Sequence, residues 1–153
     1  MATQVTTPRW TAAGRFGDLT LNLLRLVAAY MFWQHGAQKL LGWFTDRPPV
    51  PAAEYLTLRG LAGWLEFVGG VLLFVGLFTR PVAFLLAGEM AVAYWLVHVG
   101  GQGAALSPLM NGGETAVLYC FVWLFVAAVG PGSFSLDAAL RHRPGARFVV
   151  VDA

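Results

Sequence analysis

Apolar residues dominate four long stretches of the chain, at about 19–44, 60–78, 81–99 and 112–136. Each approaches or exceeds the ~20 mostly apolar residues that a helix needs to cross the hydrocarbon core of a bilayer. Ionisable interruptions are few: Arg25, His35 and Lys39 in the first stretch, Glu66 in the second, Glu89 and His98 in the third, and Glu114 at the start of the fourth. A soluble bundle would need a polar stripe along every helix, and residues 71–77 and 118–129 offer none. The pattern therefore predicts an all-α integral membrane four-helix bundle with an up-down-up-down path. Residues 1–18 form a polar N-terminal segment, 19–136 the transmembrane domain and 137–153 a basic tail.

The connections differ in character. Thr79-Arg80-Pro81 reads as a tight turn with proline at a helix start, where its missing N–H costs nothing. Residues 45–59 hold Pro48, Pro49 and Pro51 and an amphipathic stretch from Glu54 to Arg59, and residues 100–111 read as a glycine-rich, uncharged loop over the bundle mouth. Arg9, Arg15, Arg80, Arg141, Arg143 and Arg147 fall on the side of the termini, whereas Arg47 and Arg59 fall on the other. This asymmetry puts both termini in the cytoplasm and the two long connections outside.

Composition sharpens this picture. The chain is 58% hydrophobic and 12% charged, against roughly 25% charged for soluble domains. That excludes a disordered chain, a nucleic-acid-binding domain and an ordinary soluble enzyme. The one cysteine, Cys120, cannot form an intramolecular disulfide or a cysteine-ligated cluster, and reads as a small apolar residue of the fourth helix. The first apolar stretch has no small-residue cleavage site and reads as a retained helix rather than a signal peptide.

Depth along the helices follows from the ~1.5 Å rise per residue. On that scale His35, Lys39, Glu66, His98 and Glu114 gather in the outer half, with Lys39 and Glu66 within roughly 2 Å of the same level. Glu89 lies near mid-membrane and Arg25 deeper still. His35, Gln38, Lys39 and Gly42 follow helical spacing and form one stripe. Gly63, Glu66, Gly69 and Gly70 share a face on which small residues let a neighbouring backbone approach. Glu89 and His98, nine residues apart, point to opposite sides of an ideal helix. Histidine ending the odd helices and a glycine-associated glutamate opening the even ones suggest duplication of a two-helix hairpin.

Ionisable groups inside a bilayer cost at least ~2.5–3.5 kcal/mol each on insertion scales, so they are expected to pair or to serve a function. Pairing would join Lys39 to Glu66 and Arg25 to Glu89, the latter as a structural ion pair. A functional reading makes His35, Gln38, Lys39, Glu66, His98 and Glu114 a ligand-binding set in the outer half. No Glu-x-x-His or His-x-x-x-His spacing supports a metal. A quinone head group fits better, because its reduction needs hydrogen-bond donors and a proton-relaying carboxylate. Trp33, Trp43, Trp64 and Trp95 can pack around such a ring or anchor the interface.

The runs Leu24-Arg25-Leu26, His35-Gly36-x-Gln38-Lys39-Leu40-x-Gly42, Glu66-x-x-Gly69-Gly70 and Gly76-Leu77-x-Thr79-Arg80-Pro81 resemble the DoxX family of small bacterial membrane proteins. Glu89 to Tyr94 with His98, Asn111-Gly112-Gly113-Glu114, and Gly130-Pro131-Gly132 with Ser135-Leu136-Asp137 extend the resemblance to about residues 23–137. It implies a four-helix protein of the bacterial inner membrane. Relatives include small subunits of a thiosulfate:quinone oxidoreductase, and others are linked to membrane redox complexes and oxidative-stress defence. The expected role is thus a subunit or partner of a quinone-linked membrane oxidoreductase, with lipid, partner redox proteins or a second copy as neighbours. The competing roles are a non-catalytic accessory subunit and a small-solute transporter.

The arginine asymmetry makes one direct prediction. In a Cys120→Ala background, a cysteine at Glu54 should react with an impermeant thiol reagent added to intact cells. Labelling only after lysis would reverse the orientation.

Overall fold

The computed structural model describes residues 14–101 and 106–141. The expected N-terminal segment is therefore covered only from Gly14, the loop over the mouth only in part, and the basic tail only to Arg141; Arg9, Arg143 and Arg147 lie outside the described residues. The elements are α1 (Arg15–Leu41), α2 (Leu58–Val75), α3 (Thr79–Ala93), a π-helical continuation (Tyr94–Val99), a single turn α4 (Pro108–Asn111), α5 (Glu114–Val129) and α6 (Leu136–Arg141). A 3₁₀ turn, Ala52–Glu54, stands in the first long connection. The described residues contain no strand.

Local chemistry sets most of these boundaries. Gly42 and Gly76 end α1 and α2 at φ 67° and 70°, the left-handed conformation that glycine adopts without a Cβ penalty. Thr57 caps α2 by accepting the Gly60 N–H through its hydroxyl at 3.3 Å. Two boundaries differ from expectation. The turn before α3 is Gly76–Phe78, so the helix already starts at Thr79 and Pro81 lies within its first turn. The fourth apolar stretch leaves the helix at Val129, because Gly130 at φ 105° and then Pro131 break it.

α1 packs along α2, α3 along α5, and α2 along α3. Ala29, Phe32, Leu73, Leu86, Trp123 and Val126 meet in the shared core. The outward faces are equally apolar: Leu61, Val68 and Val71 on α2, Phe84, Leu85 and Val92 on α3, and Leu118, Phe121 and Phe125 on α5 are all exposed. Water would penalise such faces, whereas lipid does not. Two helical segments, Leu58–Val75 and Thr79–Val99, are long and apolar enough to cross a membrane. α5 is apolar but has 16 residues, and α1 is longer but interrupted by charge.

One end of the structure is closed by a polar clasp. Arg25, with 0% of its surface exposed, donates from Nε to Pro131 O at 2.8 Å, from Nη1 to Leu73 O at 2.5 Å and Phe74 O at 2.7 Å, and from Nη2 to Phe134 O. Asp18 accepts the Ser133 N–H at 3.0 Å and the Ser133 hydroxyl, and Asn22 accepts the Phe134 N–H at 3.0 Å. Asp137 accepts the N–H groups of Phe78 and Thr79 at 2.9 and 2.8 Å, capping α3 from a later part of the chain. Partial burial pushes the Asp137 carboxyl up, but those N–H donors and the Arg141 charge outweigh it and leave it below its ordinary value. Arg80 answers at the C-terminus of α5, donating to the carbonyls of Ala127, Ala128 and Val129.

The expected Arg25–Glu89 ion pair is not formed. Arg25 spends its donors on main-chain carbonyls at the end of α2 and in the segment after α5, and no ion pair or hydrogen bond holds Glu89 among the described residues. Carbonyls from the last turn of α2 and from the segment after α5 surround the buried guanidinium with several acceptors in different directions, which a single carboxylate cannot match.

The glycine face of α2 works as expected. A Cβ on Gly70 would stand 2.8 Å from Trp33 Cα, and one on Gly36 would stand 2.6 Å from Phe67 Cα, so the α1 and α2 backbones touch at these points. A Cβ on Gly88 of α3 would meet nothing within 4 Å. Gly36→Ala should therefore lower thermal stability in detergent by about 1–3 kcal/mol, through forced helix separation. Gly88→Ala should be neutral or stabilising by up to ~1 kcal/mol. Equal effects of the two substitutions would refute the close approach.

Candidate functional site

The opposite half of the structure carries a second set of buried ionisable groups. Lys39 in the last turn of α1 reaches across to Glu66 of α2, with Nζ 2.6 Å from both carboxylate oxygens. Glu66 is 3% exposed, while the Lys39 side chain keeps an open flank at 29%. Gly63, one turn before Glu66, makes the approach possible, since a Cβ there would stand 3.1 Å from Lys39 Cβ. This is the one salt bridge among the described residues. Its two charges neutralise each other in a short bidentate contact, which offsets the cost of burying them.

Glu89 of α3 lies within electrostatic reach of both Glu66 and Lys39. Both of its carboxyl oxygens are buried and have no hydrogen-bond partner among the described residues. Tyr119 of α5 lies within reach of Glu66, and its buried hydroxyl is likewise unpartnered. Trp123, one turn on, stacks against Tyr119 with ring centroids 5.9 Å apart, and its Nε1 also lacks an acceptor. Phe32 meets both rings edge-on, at 4.9 Å from Tyr119 and 5.4 Å from Trp123. A carboxyl and a phenol therefore stand unsatisfied near a buried ion pair, with an unpartnered indole N–H one turn further along α5. Buried polar groups are hydrogen-bonded in the great majority of cases, so such a grouping marks a place where a ligand's polar atoms can be received.

The remaining candidates are spread more widely. His35, half-buried, turns its ring edge-on to Tyr119 with centroids 6.2 Å apart, and so borders the cluster. Gln38 donates weakly to Phe44 O at 3.4 Å and lines an outer cavity together with Lys39. His98 lies in the π-helical segment, with Nδ1 3.2 Å from Asn111 O. That contact is with α4, so His98 has a partner other than Glu89. Glu114 is exposed in the first turn of α5, a favourable place for a negative charge. Lys39 and Glu66 are thus brought together, His35 is near them, and His98 and Glu114 occupy other surroundings.

Tyr119 and Trp123 are absent from the sequence-derived set. Both read there as apolar bulk, yet Ala116, Tyr119, Trp123 and Val126 recur at helical spacing and are the buried face of α5. Polar atoms on an inward face were the available signal.

A second feature is an open groove on the outer surface between α2 and α3. An apolar cavity of about 280 Å³ is lined by Trp64, Leu65, Val68, Leu72, Val82 and Leu85, with Gly69 and Leu86 at its floor. Glu66 and Glu89 each lie three residues from that floor.

Comparison with known proteins places the chain clearly. The family model described as DoxX matches residues 20–99. A curated protein of Haemophilus influenzae, described as an uncharacterized protein, is 43% identical over 117 residues, covering 76% of this chain and 87% of that protein. The inner membrane protein YqjF of Escherichia coli K12 is 25% identical over 133 residues, covering 82% of this chain and 95% of its own length. No solved structure matches.

The buried pair makes a prediction that separates interaction from mere burial. Lys39→Met or Glu66→Gln alone should each cost stability in detergent, with the uncompensated Lys39 or Glu66 charge accounting for as much as ~3–5 kcal/mol. The double substitution should cost less than the sum, because it leaves neither charge behind. Additive losses would show that the contact carries no energy.

Proposed function

The chain belongs to the DoxX family, and we propose that it is a multi-pass protein of the bacterial inner membrane that works as a subunit or partner of a quinone-linked oxidoreductase. An up-down-up-down path is supported by the clasp, where the start of α1, the end of α2, the start of α3 and the end of α5 meet. The inner membrane is supported by the name of the Escherichia coli relative and by the exposed apolar faces. The arginine asymmetry favours cytoplasmic termini.

The observation that carries the quinone reading is the set of unpartnered buried groups, Glu89 and Tyr119 near Lys39 and Glu66 and Trp123 stacked on Tyr119. A quinone presents two carbonyl acceptors on an apolar ring, and the Tyr119 hydroxyl and Trp123 Nε1 are donors without acceptors. When bound, a quinone supplies two-electron, two-proton redox chemistry. Tyr119 and Trp123 would orient the ring carbonyls, and the Glu89 carboxyl would hold or release a proton next to them. Lys39 would keep the Glu66 charge from repelling Glu89. The apolar groove between α2 and α3 suits an isoprenoid tail.

The accessory reading rests on a different observation, namely that Arg25 and Lys39 already have bonded partners and need no ligand. Titration of the purified protein with a short-chain ubiquinone or menaquinone analogue distinguishes the two. Saturable binding by wild type, weakened about 2–10-fold in Tyr119→Phe with the folded fraction unchanged, is expected for loss of one neutral hydrogen bond. Glu89→Gln and His35→Ala should weaken it as well. A wild type that binds no quinone analogue leaves the accessory role.

A further inference from the structure

The outer end of the structure carries a cavity of about 320 Å³ whose lining is Gln38, Lys39, Thr45, Arg47, Pro48 and Arg59. These residues come from the last turn of α1, the first long connection and the first turn of α2. Three cations share this lining with an amide and a hydroxyl, and no carboxylate belongs to it. Lys39 is neutralised by Glu66. Arg47 and Arg59 are not: among the described residues neither guanidinium group has an ion-pair or hydrogen-bond partner, although Asp46 and Glu54 stand in the same connection. Two exposed guanidinium groups without a carboxylate partner give this opening a positive local charge.

The cavity wall is fixed rather than loose. Val50, 2% exposed, ties the connection back to α1 through its N–H to Lys39 O at 2.7 Å. The Arg47 N–H bonds to the Thr45 hydroxyl at 3.2 Å. Gly60 fits under the connection, where a Cβ would stand 2.6 Å from Tyr55 Cα. The two arginines are thus carried on braced backbone, which lowers the cost of bringing both to one ligand.

We propose that this cavity is a binding site for a phosphate-type oxyanion. Planar guanidinium groups match the oxygens of phosphate in bidentate hydrogen bonds, and the Gln38 amide and Thr45 hydroxyl supply further polar contacts. The volume exceeds that of a bare tetrahedral anion and leaves room for a substituent on it. Exposed Trp43, Phe44, Leu56 and Leu58 surround the same connection, the side chains expected at the level of lipid head groups. Both the head group of an anionic phospholipid and free inorganic phosphate offer this chemistry. The site is separate from the Tyr119 and Glu89 cluster and does not rest on the quinone reading.

The test uses the full chain in nonionic detergent, titrated with inorganic phosphate, short-chain phosphatidylglycerol and short-chain phosphatidylcholine, and read by calorimetry and thermal midpoint. Wild type should bind phosphatidylglycerol, phosphate or both saturably, and the Arg47→Gln/Arg59→Gln variant should bind at least ten-fold more weakly. Phosphate that competes with phosphatidylglycerol identifies the free anion as sufficient; phosphatidylglycerol binding that phosphate does not displace identifies the lipid. Arg15→Gln, at the other end of α1, should bind as wild type does, and an unchanged helical circular dichroism spectrum should show both variants folded. The proposal is overturned by absence of saturable binding to both anionic probes, by undiminished binding in the double variant, or by phosphatidylcholine binding as tightly as phosphatidylglycerol.

Discussion

A guanidinium group carries five N–H donors and a charge that it cannot lose, so placing one inside an apolar bundle obliges the rest of the chain to answer it. Arg25 is answered by main-chain carbonyls of Leu73, Phe74, Pro131 and Phe134. The first two belong to the last turn of α2, where the backbone dipoles concentrate negative potential, and Leu73 O also accepts the Gly76 N–H at 3.2 Å. One side chain thereby satisfies its own donors and gives a partner to the carbonyls of Phe74, Pro131 and Phe134 in a low-dielectric interior. The segment after α5 is held in place by the same contacts, and from there Asp137 caps α3 and Ser133 meets Asp18. Three separate stretches of chain converge on this point.

The two ends of the structure consequently differ in what they can do. Around Arg25 the named donors and acceptors are matched within the chain, which leaves a rigid closure with little chemistry to offer. Around Lys39 the matching is partial, with a bonded pair flanked by Glu89 and Tyr119 on the inside and by Arg47 and Arg59 on the outside. Rigidity at one end supports precise placement at the other, because α1 spans both and is locked to α2 through Gly36 and Gly70.

Sequence periodicity revealed the long helices because apolar runs of that length leave few alternatives, and it revealed the glycine face of α2 because small residues recur there at helical spacing. Lys39 and Glu66 were legible as partners from matched depth and opposite charge. Arg25 was misread by that same logic: a search for charge partners sees only side chains, and backbone carbonyls exposed by helix ends leave no mark in the amino-acid alphabet. The π-helical turn at Tyr94–Val99 was invisible for a related reason, since an extra residue per turn changes hydrogen bonding without changing composition. Tyr119 and Trp123 were hidden by their own amphipathic nature, because rings that satisfy an apolar pattern mask the polar atom each one carries.

The spacing of the Arg25 contacts also imposes an order on biosynthesis. Its partners in α2 lie 48 and 49 residues downstream, whereas Pro131 and Phe134 lie 106 and 109 residues away. A nascent chain can therefore close the first hairpin and give Arg25 half of its acceptors before the segment after α5 is in place. The other half arrive only after α5 has been made, so a chain stopped before residue 131 keeps a buried charge with unmet donors.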